Sequence, residues 1–381
     1  LEMSIAVRTG GHQYCGYSST PPVNMQIDLS KAYPEYSYDA QTNVLRCGVS
    51  HALGKWAELN ELQGIYLPMG VCAHVHLGGH VHTGGWGMVA RSHGILADRV
   101  LAFEVFTADR KKHRIVRPVA GETSKFNDDM FYAVLGGSKG GDFGIVTHWE
   151  FEPIKDADHP NSACYTFTWL WTEDKMEGIV KRMEELVQQC AAGQVPSDYE
   201  FMLTITGAGV MNLLPDPVKK GLDELGHLGG FVSETLGVPV PALIQMWMCY
   251  TNKGGASEAF DDRWFESFAD DAYGGTPVLA IREKHTPVSL GLANHFIMKQ
   301  DREMEYPFVK RSRVTKKLPT GFHKTYTERM KAGVDAVCAC KTLSCAVAAS
   351  RETSKLEPTD AEMVVAVAEG KRLQECMRKL A

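Results

Sequence analysis

The sequence predicts an α+β fold in two parts, and three observations carry that reading. Residues 1–153 alternate short β-branched strands with glycine-rich loops, whereas residues beyond 160 alternate period-two strands with amphipathic helices. Between them Pro153–Pro160 is polar and turn-forming. At about 150 residues per domain, 381 residues make two or three domains. The expected division is 1–153, then 154–335 with an antiparallel sheet covered by helices, then a helical segment 336–381.

Taken in order, residues 3–8 read as a strand that runs into the loop Arg8-Thr-Gly-Gly-His12. Met25–Leu29 and Asn43–Val49 are strand-like, with a turn-rich piece between them. Leu53, Trp56, Leu59 and Leu62 fall at helical spacing, so 51–62 is a helix closed by Gly64. Arg99–Ala108 and His113–Val116 pair across the Asp109-Arg-Lys-Lys turn. A short helix at Met130–Val134 and the loop 136–141 precede a strand at 143–151. In the second part, strands are expected at 164–171, 201–205 and 243–251, and helices at 174–192, 257–268 and 321–332. Thr359-Asp-Ala-Glu362 is a capping-box pattern opening a last helix to about Leu380.

Composition excludes several classes. A net charge of −6 leaves no basic footprint for nucleic acid. No apolar run reaches the roughly 18 residues of a membrane span. Ten cysteines without regular spacing do not form a small-domain disulfide framework. Leu1 leads directly into a strand, so the natural amino terminus, with any targeting signal, is expected to lie upstream.

The stretch Gly70–Gly87 holds six glycines, four histidines and one cysteine. Glycine at this density disfavours regular structure and allows bare backbone to approach a bound molecule. Two answers compete. His74, His76, His80 and His82 come in two His-Val-His pairs that could supply imidazoles to zinc or copper, although no Asp, Glu or further Cys lies nearby to complete the site. Alternatively, the glycines wrap a large planar cofactor.

Four separated blocks bear on that choice. They are Val7-Arg-Thr-Gly-Gly-His12 with Gly16 and Ser18; Gly70-Val-Cys72 with Gly78-Gly79-His80 and Gly84-Gly85-Trp-Gly87; His93-Gly94 with Asp98; and Phe131-Tyr-Ala with Leu135-Gly-Gly and Phe143-Gly144-Ile145-Val146-Thr147. In this order the chain resembles the berberine bridge enzyme-like flavoproteins of the vanillyl-alcohol oxidase and p-cresol methylhydroxylase superfamily. The resemblance spans most of residues 5–153. It implies a PCMH-type FAD-binding domain, incomplete at its amino-terminal side, followed by a substrate domain.

The resemblance further implies bicovalent FAD, with His12 on the 8α-methyl and Cys72 on C6 of the isoalloxazine. Imidazole and thiolate nucleophiles suit both bonds. Arg8, Gly10, Gly11, Gly16, Ser18, Gly70, Gly78, Gly79, His80, Gly84, Gly85, Gly87, Asp98, Gly144, Ile145 and Val146 are the further candidate cofactor residues. The expected reaction is hydride transfer from an alcohol, sugar or secondary metabolite to FAD, then reoxidation by O2 to give H2O2. Val75 stands where the family's oxidases carry valine beside the oxygen-reactive carbon, and so reads as an oxygen gate. His76 replaces the usual glycine, as a proton donor or a space filler. Tyr250 is the candidate substrate-facing phenol and Trp247 a candidate stacking ring. The partners implied are a small-molecule substrate and O2. Secretion is common in the family, but the sequence assigns no compartment. The family's first FAD-binding subdomain and its carboxy-terminal segment are not recognisable here, which motivates a degenerate, non-catalytic flavin-binding or interaction protein as the second reading and the histidine metal enzyme as the third.

Overall fold

The computed structural model describes residues 4–13, 18–20, 24–135, 142–170, 172–206, 243–255 and 260–296, with short pieces at 323–324, 327–328 and 367–368. The chain divides into two compact units. Unit 1 comprises 1–162, 251–258 and 285–308, and unit 2 comprises 163–250, 259–284 and 309–381.

Unit 1 starts with the parallel pair β1 (Ile5–Arg8) and β2 (Met25–Asp28). Its main sheet has the order β3-β4-β8-β6-β7, from β3 (Tyr36–Asp39), β4 (Val44–Gly48), β6 (Val100–Phe106), β7 (Lys112–Val116) and β8 (Ile145–Phe151). Each neighbouring pair is antiparallel. The β6–β7 hairpin forms as expected from its turn, with Arg110 in the left-handed region. The turn-rich piece after Leu29 contains β3, a strand that alternation alone does not reveal because Tyr-Ser-Tyr-Asp is mostly polar. Helix α1 (Leu53–Leu62) buries Leu53, Trp56 and Ala57, and Trp56 tilts against Phe151 of β8. Trp149 and Phe103 join the same apolar centre. Helix α4 (Lys125–Leu135) is longer than the expected 130–134, because Asn127 binds both backbone groups of Val116 and ties its first turn to β7.

Two pieces of unit 1 defy local sequence signals. The Pro153–Pro160 turn segment contains β9 (Ile154–Lys155), which pairs with β5 (Ile65–Tyr66). Helix α7 (Val288–Gly291) buries Val288, and the following π-type turn buries Leu292, far along the chain. Ser289 is tied to Asp156 by its backbone N–H at 3.2 Å and by its hydroxyl.

Unit 2 is a sheet of order β13-β10-β12-β11-β14 with a helix on one face. Its strands are β10 (Ala163–Leu170), β11 (Tyr199–Thr206), β12 (Leu243–Tyr250), β13 (Leu279–Lys284) and β14 (Val367–Ala368). Helix α5 (Glu173–Ala191) starts at Thr172, whose side chain accepts the Lys175 N–H. It buries Met176, Ile179, Val180 and Leu186, most of the face predicted from spacing, against Tyr165, Phe167, Met246 and Met248. Two expected helices are corrected. Only α6 (Arg263–Glu266) and a turn at Ser267–Ala269 are helical in the described part of 257–268, and Phe265 and Phe268 both reach the core from them. Val367–Ala368 is a strand, not helix, because it pairs in parallel with Ile205–Thr206 of β11. The rest of the expected last helix, the loop 136–141 and the cysteines Cys338, Cys340 and Cys345 lie outside the described residues.

Candidate functional site

The glycine-histidine stretch is not wholly irregular. Leu77–His82 forms a short helix, α2, and Ala90–His93 another, α3. A helix through Gly78-Gly79 against local propensity needs a tertiary cause. The Cβ that Gly78 lacks would sit 2.5 Å from Thr9 Cγ2, so the absent side chain lets the loop after β1 lie on α2. Gly10 meets the same surface. A Cβ there would stand 2.9 Å from the His76 nitrogen and 3.0 Å from both the His74 carbonyl and the His76 ring. The loops that carry His12 and Cys72 are therefore neighbours, and both side chains are half-buried.

The Cys72 segment is rigidly held. Val75 donates its N–H to the Cys72 carbonyl at 3.2 Å, closing a tight turn, while Leu53 and Gly54 at the start of α1 donate to the carbonyls of Val75 and Ala73. Leu77 and Gly78 donate onward to His51 and Val49. The Val75 side chain is half-buried beside this turn.

Most of the candidate glycines serve this self-packing. Gly70 donates its N–H to His80 Nε2 at 2.9 Å, and a Cβ on it would meet the same ring at 2.9 Å. Gly85, at φ 71°, lies against Leu96 and His80, and Gly84 against Ile95. Gly87 abuts the Met69 carbonyl, where Met69 and Met88 form a bridge. Gly144 fits over Phe106 and Val105, next to the bulge between β6 and β8, and Ile145 and Val146 are ladder residues of β8. Gly11, at φ 70°, meets only the Arg8 stem. Gly79 is the exception in the stretch, exposed and with open space where its Cβ would be. Ser18 is half-buried, and Gly16 lies outside the described residues.

The charged candidates are similarly engaged. Arg8 reaches Asp28 at 2.6 Å, and hydrogen bonds from Ser30 and then Arg8 hold that carboxyl far below the usual range. Asp98 accepts the Ile95 N–H at 2.9 Å across the turn opened by Gly94.

The histidine metal centre is corrected. His80 Nε2 accepts the Gly70 N–H, so that nitrogen is turned to the backbone. His82 turns inward, with Nδ1 3.3 Å from the Val134 carbonyl and its ring edge-on to Trp149, and burial pulls it down to about 4. His76 lays its ring against Gly10. Among the described residues no three His, Cys, Asp or Glu side chains converge on a metal position. His80 and His82, both on α2, thus turn to different neighbours, and His76 just before it packs on Gly10.

Tyr250 is also corrected. It is 1% exposed, stacked on Phe260 and tilted against Tyr199 in the core of unit 2, so it is a packing residue. The opposite face of that sheet holds groups that the sequence reading missed. Thr168, Gln245 and Thr204 stand in one cross-strand row, and Thr166 and Met202 flank Trp247 in the next. These side chains are buried, and the hydroxyls of Thr166, Thr168 and Thr204 have no hydrogen-bond partner among the described residues. The signal was present in Thr166-Phe-Thr168, where polar residues alternate with core residues.

Residues 2–115 match the family model described as FAD binding domain. Aclacinomycin-N/aclacinomycin-A oxidase of Streptomyces galilaeus is 31% identical over 238 residues, covering 58% of this chain and 43% of that protein. Berberine bridge enzyme-like 25 of Arabidopsis thaliana is 29% identical over 194 residues, covering 49% of this chain and 33% of that protein. Over these stretches the chain is similar to berberine bridge enzyme-like and FAD-linked oxidoreductase sequences. The solved structure of Physcomitrella patens BBE-like 1 superposes with a TM-score of 0.56 at 16% identity, over 88% of this chain and 61% of that one. The fold is accordingly α+β with a PCMH-type FAD-binding domain. The chain spans less than half the length of both curated relatives. Among the described residues no helix is long and apolar enough to cross a membrane.

Proposed function

We propose that this protein oxidises an alcohol, a sugar or a hydroxylated secondary metabolite, using FAD linked to both His12 and Cys72. The observation that carries the reading is the packing of Thr9 and Gly10 on His74–Gly78, which sets the two half-buried nucleophiles on adjoining loops. The donor set fits the cofactor. His12 would hold it through a ring nitrogen and Cys72 through its sulfur, and the open backbone at Gly79 leaves room for close approach. Held there, FAD would supply a hydride acceptor for the substrate carbon that O2 could reoxidise, with H2O2 as the product.

The chain's own residues supply placement. The Cys72–Val75 turn is anchored on α1, which supports Val75 as the oxygen gate beside the proposed sulfur attachment. His76, committed to Gly10, acts as a spacer between the loops.

An absorption spectrum of acid-precipitated protein tests the attachment. Yellow colour should stay with the pellet. His12→Ala and Cys72→Ala should each leave one bond, detectable as flavin-bearing peptides from the other position. A colourless pellet from flavin-replete protein, or a doubly linked flavin in either variant, removes the assignment. Peroxide formation with a panel of alcohols and sugars tests the reaction, and Val75→Leu should slow reoxidation by O2 more than reduction by substrate.

A further inference from the structure

Strands β10 and β12 run antiparallel with Cys164 directly opposite Cys249. Opposed residues in a ladder project from the same face, and the two Sγ atoms stand 3.8 Å apart. Opposed Cα atoms in an antiparallel pair lie about 4.5 or 5.5 Å apart, and both values fall inside the roughly 4.4–6.8 Å that a disulfide spans. Each strand is interior to the sheet, β10 between β13 and β12 and β12 between β10 and β11. Ladder bonds on both sides therefore hold the register. Both cysteines are fully buried, and neither is bonded to another sulfur here.

We propose that Cys164 and Cys249 are a disulfide pair that staples the two interior strands of the unit 2 sheet near one end. Turning the side chains about χ1 takes the sulfurs from contact to the bond length of about 2.05 Å without a shift of register. Each thiol gives up its proton, and the pair gives two electrons to a low-molecular-weight disulfide such as oxidised glutathione, which leaves as two thiols. The exchange passes through a mixed disulfide on one cysteine. Because both sulfurs are buried, it takes place as the chain folds or in a transient opening of the sheet. The cysteines are 85 positions apart, so the bond closes a long loop and removes much of the freedom of the unfolded chain. It involves neither Cys72 nor the flavin, and it stands or falls separately from the proposed oxidase activity.

The full chain, produced in a reducing cytosol and in an oxidising periplasm, is denatured in acidic urea and alkylated before and after reduction. Peptide mapping should find Cys164 joined to Cys249 in the periplasmic protein and two alkylated thiols in the cytosolic one. The linked protein should melt roughly 5–10 °C higher, and Cys164→Ser should abolish both the linked peptide and that gain. Free thiols at both positions in folded periplasmic protein, or either cysteine bonded elsewhere, overturns the proposal. If the periplasmic protein does not fold, diamide oxidation of the cytosolic protein decides: the linked peptide supports the pair, and two alkylatable thiols refute it.

Discussion

Gly79 and Gly87 belong to one glycine-rich stretch yet answer to different neighbours. Alanine at Gly79 enters open space within α2, and helix propensity favours it by up to about 1 kcal/mol. Alanine at Gly87 drives a methyl into the Met69 carbonyl and should cost on the order of 1–3 kcal/mol. Thermal melts of Gly79→Ala and Gly87→Ala should accordingly move in opposite directions, while flavin content should fall in Gly79→Ala if that open backbone faces the cofactor. The buried histidines add a pH dependence. Burial pulls His82 down to about 4, and burial with the neighbouring His159 pulls His93 to about 3, against about 6.5 in an unfolded chain. Below 6.5 the unfolded chain takes up these protons first. Their stabilisation is therefore complete above about pH 6.5 and is lost as pH falls toward 4 and 3. At about 1.4 kcal/mol per unit, the unfolding free energy from urea titration should drop by a few kcal/mol between pH 7 and 4.5. His93→Gln, which does not titrate, should flatten that slope. A slope unchanged in His93→Gln would remove His93 from the explanation.

Helix α5 sets local propensity against packing. Gly178 lies in its second turn, where a host-guest scale favours alanine by about 1 kcal/mol. In the fold, however, a Cβ at Gly178 would strike the Tyr273 carbonyl. Gly178→Ala should therefore destabilise unit 2, by about 2 kcal/mol or more, read as a lowered urea midpoint with an unchanged m-value. The same contest explains which elements were legible. The α5 face, the β6–β7 hairpin and strands β10 to β12 could be read because apolar periodicity and turn residues agreed with the final packing. Strand β3 and helix α2 could not, since polar Tyr36–Asp39 and Gly78-Gly79 owe their structure to partners distant in sequence.

The molecule as a whole is less contiguous than its composition. Unit 1 takes back 285–308 after the chain has built most of unit 2, and Val288 and Leu292 are buried within it. A chain ended at Ser162 lacks those side chains and the Ser289 partner of Asp156. It should bind a hydrophobic dye and melt without cooperativity, and a sharp melt equal to that of the full chain would contradict this view of unit 1. The likeness to an FAD binding domain was legible in the sequence, because four glycine-bearing blocks occur in a fixed order and residues 2–115 match that family model. Spacing alone left open the roles of individual glycines and histidines, as it reports neighbours along the chain and not across it. Tertiary structure turned His80 to Gly70, His82 to Val134 and Tyr250 into an aromatic core, and it set Cys164 against Cys249. A hydrogen bond or a methyl-sized gap between segments 10 to 90 or more residues apart is decided only once the chain has packed.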